Sequence, residues 1–182
     1  MSDHQAELLD LLRTRSLRRG DFVLASGRHS GYYIDCRLTT MSGPGQRLIG
    51  ILGLELLDRN GWAPQLVGGL TLGADPVAYA IAHRAALAGR AIDAFTVRKE
   101  AKAHGTGRLI EGAELANRDV VVVEDVITTG GSAVQAMAAV LAAGARVLGV
   151  LAVVDRNEGG RERLEAEGCR VLSLTTAEEL LG

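Results

Sequence analysis

Residues 120–132 read Val-Val-Val-Val-Glu-Asp-Val-Ile-Thr-Thr-Gly-Gly-Ser, and no other stretch limits the fold as much. Four consecutive valines leave no polar face. A strand here must be covered on both sides, which is the situation of a strand inside a parallel sheet. Polarity then inverts within one residue: Glu124 and Asp125 follow directly, and Thr128, Thr129, Gly130, Gly131 and Ser132 lead into an alanine-rich helical segment. In an open α/β sheet, ligands sit beyond the carboxyl ends of the strands, and free N–H groups at the next helix start receive an anion. The stretch therefore predicts a phosphate cradle with two carboxylates beside it. Paired acids suit sugar hydroxyls or a hydrated Mg²⁺, and adjacent like charges need such an answer because each raises the other's pKa. The plain alternative is a buried strand and turn with two solvated acids. Neither Gly-Lys-Ser/Thr nor Gly-x-Gly-x-x-Gly occurs in this stretch, so nucleoside triphosphate and dinucleotide loops are not indicated.

With 182 residues and 47% hydrophobic content, the chain can form one domain with a sizeable core, and at 3% aromatic content that core is aliphatic. The balance of 20 Lys and Arg against 22 Asp and Glu gives a formal charge of −2. That offers no global field for nucleic acid or an anionic membrane, and neither is expected as a partner. The apolar runs have strand length, and the Met-Ser-Asp-His-Gln start does not open a charged-then-apolar leader, so a soluble, cytoplasmic protein is expected. Cys36 and Cys169 form no C-x-x-C and read as incidental buried thiols.

Residues 6–15 place Leu8, Leu9, Leu11 and Leu12 among charges, which predicts an amphipathic helix. Residues 22–37 give two β-prone pieces around Ser26-Gly27-Arg28-His29-Ser30-Gly31. This hairpin-like unit is either an edge with a polar tip or, with Tyr32 or Tyr33, a cap for a small planar anion. Ser42-Gly43-Pro44-Gly45 breaks the chain before a helix over 46–58. From Gln65 onward the pattern alternates: strand 65–70, helix 74–88, strand 91–97. Between the first two, residues 68–76 (Gly-Gly-Leu-Thr-Leu-Gly-Ala-Asp-Pro) form a second glycine-bearing turn. It can bring N–H groups to a second phosphate, or it is a packing loop with Asp75 as helix cap. His83 falls inside a helix and reads as structural or exposed.

Residues 98–119 form a connection longer than compact domains usually keep without function. It carries Arg98, Lys99, Lys102, His104 and Arg108 around Gly105 and Gly107, which predicts a cationic lid or a solvated hairpin. After the cradle come a helix over 133–143 ended by Gly144, a buried strand over 146–155, a short helix over 162–167, a strand over 170–174 and a closing helix over 176–181. Arg156, at a strand's carboxyl end, offers a planar fork for a carboxylate or pairs with Asp155 or Glu158.

Four segments together resemble one family: Val-Glu-Asp-Val-Ile-Thr-Thr-Gly over 123–130, Arg-Lys-Glu-Ala-Lys-Ala-His-Gly over 98–105, Ser-Gly-Arg-His-Ser over 26–30 with Tyr32 and Tyr33, and Val-Asp-Arg over 154–156. The first is similar to the signature of the type I phosphoribosyltransferases, and the second marks the orotate phosphoribosyltransferases among them. The resemblance covers essentially the whole chain. It implies an α/β, type I phosphoribosyltransferase fold with a central mostly parallel sheet flanked by helices, in a single domain over 1–182 whose residues to about 40 form a small N-terminal hood over the base. The implied reaction takes phosphoribosyl pyrophosphate (PRPP) and orotate to orotidine 5′-phosphate and pyrophosphate in pyrimidine biosynthesis.

Lys102, His104, Asp125 and Glu124 are implied as catalytic. Lys102 and His104 close over pyrophosphate from the neighbouring subunit of a homodimer, while Asp125 and Glu124 face the ribose and compensate positive charge at the anomeric carbon. PRPP would also meet Arg98, Lys99, Val126, Ile127, Thr128, Thr129, Gly130, Gly131 and Ser132, the hydroxyl-rich turn holding the 5′-phosphate. Orotate would meet Thr128 and Arg156. Mg²⁺ is implied as cofactor, brought by PRPP and water, with no protein ligand assigned. Two lysines frequent in relatives are absent: Ala25 stands before the Ser-Gly-Arg segment, and the second glycine turn reads Leu72-Gly73-Ala74. A purine phosphoribosyltransferase would keep the cradle without needing Arg156 or the cationic loop. A non-catalytic regulator on the same fold would want a basic face.

Overall fold

The computed structural model describes residues 2–23, 29–100 and 109–182. In chain order its elements are α1 (Asp3–Arg15), β1 (Leu17–Val23), β2 (His29–Ile34), α2 (Arg37–Thr40), α3 (Gly43–Arg59), β3 (Leu66–Leu70), α4 (Ala74–Leu87), β4 (Asp93–Val97), β5 (Ile110–Gly112), β6 (Asp119–Ile127), α5 (Gly131–Ala142), β7 (Arg146–Asp155), α6 (Gly160–Ala166), β8 (Val171–Thr176) and α7 (Ala177–Leu181). The main sheet has the order β5-β4-β3-β6-β7-β8, parallel throughout except for β5, which runs antiparallel to β4. This is the α/β, mostly parallel architecture expected.

The four valines lie in the middle of β6 and divide between two cores. Val121 and Val123 join a cluster with Leu48, Ile49 and Ile81 from α3 and α4, and with Leu8 and Leu12 of α1. Val120 and Val122 face Ala136, Met137 and Val140 of α5 and Leu164 of α6. Alternation of side chains along a strand sends successive valines to opposite faces, and each face has its helix layer. Burying each large aliphatic side chain contributes about 1.5–3 kcal/mol, so these layers hold β6 rigidly.

β3 continues through α4 to β4 on one side, whereas β6 continues through α5 to β7 on the other. The winding therefore reverses between β3 and β6, and a crevice opens beyond their carboxyl ends.

Several boundaries differ from the sequence expectation. β6 runs on through Glu124 and Asp125 to Ile127, because its pairing with β7 continues past the acids. Ser42-Gly43-Pro44-Gly45 is the start of α3: Ser42 is its N-cap, its side chain accepting from the Gly45 N–H, and proline fits the first helical turn. β1 begins at Leu17, five residues before the β-prone piece, since pairing with β2 rather than an apolar period makes it a strand. Asp75 does not cap α4. It accepts hydrogen bonds from the Thr71 and Thr96 hydroxyls at 2.7 and 2.8 Å, tying the second glycine turn to β4. The long cationic connection folds back on itself, Arg98 N donating to Leu109 O and β5 lying beside β4. Both cysteines are free and buried.

Candidate active site

The cradle forms where β6 hands over to α5. Gly130 adopts φ 74°, the left-handed region, and stands at the N-cap of α5 with no side chain capping the helix. The first-turn N–H groups of α5 are thus left without a capping side chain, beside a cavity of 160 Å³ lined by Val126, Ile127, Thr128, Thr129, Gly130, Gly131 and Ser132. Such a helix start receives a phosphate. Its position is fixed from behind by Gly160, the first residue of α6. A Cβ there would stand 2.4 Å from Thr128 O and 2.8 Å from Gly130 N, so only glycine permits the contact.

Beside the cradle stands the acid pair. Glu124 is 5% exposed, and its Oε1 has no hydrogen-bond partner. Burial, and then the neighbouring Asp125 charge, push its pKa up to about 8. Asp125 is half-buried, and its Oδ1 accepts from Val126 N at 3.0 Å. Burial raises its pKa as well, while backbone hydrogen bonds and the Arg37 charge oppose the rise.

A cleft of 340 Å³ joins these acids to Thr128, Ser132, Lys99, Arg156, the turn at Thr71, Leu72 and Gly73, and to Tyr33, Asp35 and Arg37 from the end of the hairpin and α2. The Thr71–Leu72 peptide is cis. The missing lysine of this turn has a steric correlate: a Cβ on Gly73 would stand 2.4 Å from Asp125 Oδ1.

Arg156 closes the other end. It is 6% exposed, its guanidinium lies over the Tyr32 ring at 4.7 Å, and its backbone N–H donates to Ile127 O. Nη2 is 2.7 Å from Glu158 Oε1, a charge contact, yet neither Nε nor Nη2 makes a hydrogen bond. Those two nitrogens share one edge of the guanidinium, the edge that takes a carboxylate bidentately. The turn behind it is anchored by Asp155, which is fully buried and accepts from Arg161 Nε at 2.7 Å and Asn157 N at 2.9 Å.

The structure thus brings Glu124, Asp125, Val126, Thr128, Ser132, Lys99 and Arg156 to one cleft, with Ile127, Thr129, Gly130 and Gly131 in the cradle. Arg98 does not line it: its guanidinium is 3.3 Å from Glu111 on the edge strand. Among the proposed anion cap, Tyr32 and Tyr33 reach the site, whereas His29 contacts Asp21 and Ser30 donates to Tyr32 O. Arg28, Lys102, His104 and Arg108 lie outside the described residues. His83 is exposed on α4. Sequence reading missed Asp35, Arg37 and Arg161, whose only trace was an acid and an arginine two residues apart, or a basic residue near a strand end.

Among the described residues no three His, Cys, Asp or Glu side chains converge as a metal set. Mg²⁺ keeps several waters and takes one or two carboxylates together with substrate phosphates, an arrangement that half-buried Asp125 fits and enclosed Glu124 does not. A larger hollow of 560 Å³ lies between β5 and α5, but among the described residues Glu114 is the only charged group lining it.

A helix-start cradle and an acid pair at the reversal point of a mostly parallel sheet define the class as phosphoribosyl transferase, and the model of the phosphoribosyl transferase domain matches residues 54–173. The chain belongs to the orotate phosphoribosyltransferase branch of that family. It is 51% identical over 170 residues to the orotate phosphoribosyltransferase of Mycobacterium tuberculosis, spanning 93% of this chain and 92% of the relative. The crystal structure of the M. tuberculosis enzyme in complex with 5-phospho-alpha-D-ribosyl 1-diphosphate matches with a TM-score of 0.84 at 46% identity, over 98% of this chain and 99% of that one. A phosphoribosyltransferase from Corynebacterium diphtheriae matches with a TM-score of 0.87 at 40% identity over 100% of both chains. Among the described residues, no helix is long and apolar enough to cross a membrane.

Proposed function

We propose that this enzyme transfers the phosphoribosyl group of PRPP to orotate, releasing pyrophosphate and orotidine 5′-phosphate on the route to UMP. The observation that carries the reading is the Nε–Nη2 edge of buried Arg156, which makes no hydrogen bond and has Glu158 beside it, in the same cleft as Thr128 and the acid pair. A carboxylate on the acceptor base is the partner that edge suits, and the M. tuberculosis relative, named for orotate, binds PRPP.

A weakly nucleophilic ring nitrogen displaces pyrophosphate through an oxocarbenium-like state, so positive ribose and negative leaving group must be stabilised together. Asp125 and Glu124 answer the ribose, Thr128 to Ser132 hold the 5′-phosphate with the Val126 and Ile127 backbone alongside, and Thr128 and Arg156 orient orotate. Lys99 stands at the diphosphate end. Lys102 and His104, with Arg98, act in this reading from the cationic loop, which closes over the site of the neighbouring subunit and excludes water. Mg²⁺, carried by the diphosphate and water, supplies further positive charge to the leaving group.

A homodimer gives that loop its target, and exposed Leu38, Met41 and Leu72 beside the cleft form an apolar face suited to a second copy. Residues to about 40 serve as the hood, with Tyr32 resting on Arg156. A cytoplasmic location follows from the role in nucleotide synthesis.

The test is to follow orotate absorbance with PRPP and Mg²⁺, using adenine, hypoxanthine and uracil as competing acceptors. Orotate consumption with pyrophosphate release is expected; faster use of a purine would overturn the assignment.

A further inference from the structure

We infer that Arg37, aimed by Asp35, binds the diphosphate of the incoming sugar and the pyrophosphate that leaves, supplying charge that the neighbouring turn at Gly73 does not carry. This rests on the phosphoribosyl transfer proposed above. The described lining of the cleft holds three carboxylates, Asp35, Glu124 and Asp125, and three cations, Arg37, Lys99 and Arg156. Arg156 is committed to the base end, buried under Tyr32 and beside Glu158. Lys99 is exposed at the start of the long connection. Beside what the cationic loop and Mg²⁺ supply in the proposed reaction, Arg37 is the other described cation of the cleft left for the diphosphate.

The second glycine turn does not provide this charge. Thr71-Leu72-Gly73 has no cationic side chain, and a Cβ at Gly73 would stand 2.4 Å from the Asp125 carboxylate, which would have to move. Arg37 stands next to that turn: it lines the cleft together with Thr71, Leu72 and Gly73, and it shares with Leu72 a shallow hollow beside it. Asp35 fixes its orientation by three hydrogen bonds, from Arg37 N to Oδ1 at 3.1 Å, from Nε to Oδ1 at 2.8 Å and from Nη2 to Oδ2 at 3.0 Å. That grip uses the side-on edge of the guanidinium. Nη1, with two N–H donors, has no hydrogen-bond partner among the described residues and remains for a phosphate oxygen.

The pairing also keeps both groups charged, Asp35 held below the ordinary carboxylate range by Arg37 and Arg37 raised by Asp35. Preorganisation matters because Arg37 is 47% exposed. A free arginine at such a site would lose side-chain entropy on binding, and the Asp35 clamp has already taken most of that loss.

Arg37→Gln, Arg37→Lys and the wild type are titrated calorimetrically with inorganic pyrophosphate and with ribose 5-phosphate, alongside steady-state kinetics. Losing a charge-assisted hydrogen bond weakens binding about tenfold to a hundredfold. Arg37→Gln should lower pyrophosphate affinity and raise KM for PRPP by that factor, with ribose 5-phosphate affinity unchanged. Arg37→Lys should recover part of the loss. The double variant Asp35→Asn/Arg37→Gln leaves no unpaired charge and repeats the measurement should the single variant fold poorly. Unchanged pyrophosphate affinity, or an equal loss for ribose 5-phosphate, overturns the inference. Failure of the proposed function would look different: the wild type would not consume orotate, while pyrophosphate binding still depended on Arg37.

Discussion

Glu124 and Asp125 sit within β6, which pairs with β7 on both sides of the acids, at Val123↔Leu151 and Val126↔Val154, and their solvation is largely removed before any substrate arrives. Arg37 and Lys99, by contrast, stand on α2 and on a connection, one half-exposed and the other exposed. The two halves of the cleft therefore differ in rigidity as well as in sign. A carboxylate that stabilises transient positive charge works best when fixed and desolvated, because no reorganisation is then needed as the charge develops. A cation that admits a diphosphate and later lets pyrophosphate go works at the rim, where solvent can replace the ligand. Substitutions on the sheet side should thus act on turnover, and those on the rim should act on PRPP and pyrophosphate affinity.

The largest effect should come from Asp125→Asn, which keeps the shape and removes the charge. We expect kcat to fall by about 10²–10³ with KM values little changed, since one preorganised group is worth that much in the transition state. A variant that loses PRPP affinity and keeps turnover would erase the contrast between the halves.

Gly160→Ala probes the rigidity itself. The new methyl would press on Thr128 O and Gly130 N, at 2.4 and 2.8 Å, and displace the cradle. Overpacking of this kind costs up to about 3 kcal/mol, read as a lower Tm, and ribose 5-phosphate affinity should fall while Arg37 is intact. Unaltered stability and binding would mean that α6 does not brace the cradle.

The smallest effect concerns pH. The folded-state pKa of Glu124, about 8, lies above its ordinary value of 4.5, so the folded protein holds a proton that the unfolded chain releases. Stability tied to that proton is present below the ordinary carboxylate range and is lost as pH rises towards 8. Glu124→Gln should flatten this part of the Tm profile and leave the substrate-free protein more stable at pH 8, on the order of 1–2 kcal/mol. An unchanged profile in the variant would show that folding does not raise the pKa of Glu124.

The sheet side of this contrast was legible in the sequence. Four valines without polar alternation have one comfortable environment, and Thr-Thr-Gly-Gly-Ser after an acid pair has few structural uses besides an anion cradle. β7 was equally plain, running from Arg146 to Asp155 as its apolar run predicts. Of the rim, Lys99 was legible in the cationic segment, but Arg37 was not. Arg37 lies 88 residues before Asp125 in numbering, and only the folded chain sets α2 beside the turn at Gly73. The Arg156–Tyr32 stack is equally non-local, joining the hairpin to the end of β7. β1 escaped notice because its exposed Arg-Arg-Gly-Asp core carries no period-two apolar signal, and only pairing with β2 holds it. The extension of β6 through its acids was missed because two charges read as the end of a buried strand. Here the strand carries both carboxyl groups into the interior, at a cost visible in the raised pKa of Glu124.

The assignment of orotate as acceptor turns on Arg156, and the most direct measurement is the ratio of kcat/KM for orotate to that for uracil, which lacks the carboxylate, in the wild type and in Arg156→Gln. A site built to bind a polar group rejects an analogue lacking it by roughly 10⁴, so the wild type should favour orotate by that order and Arg156→Gln should lose most of the preference. A ratio undiminished in Arg156→Gln would contradict the claim that its guanidinium reads the acceptor's carboxylate.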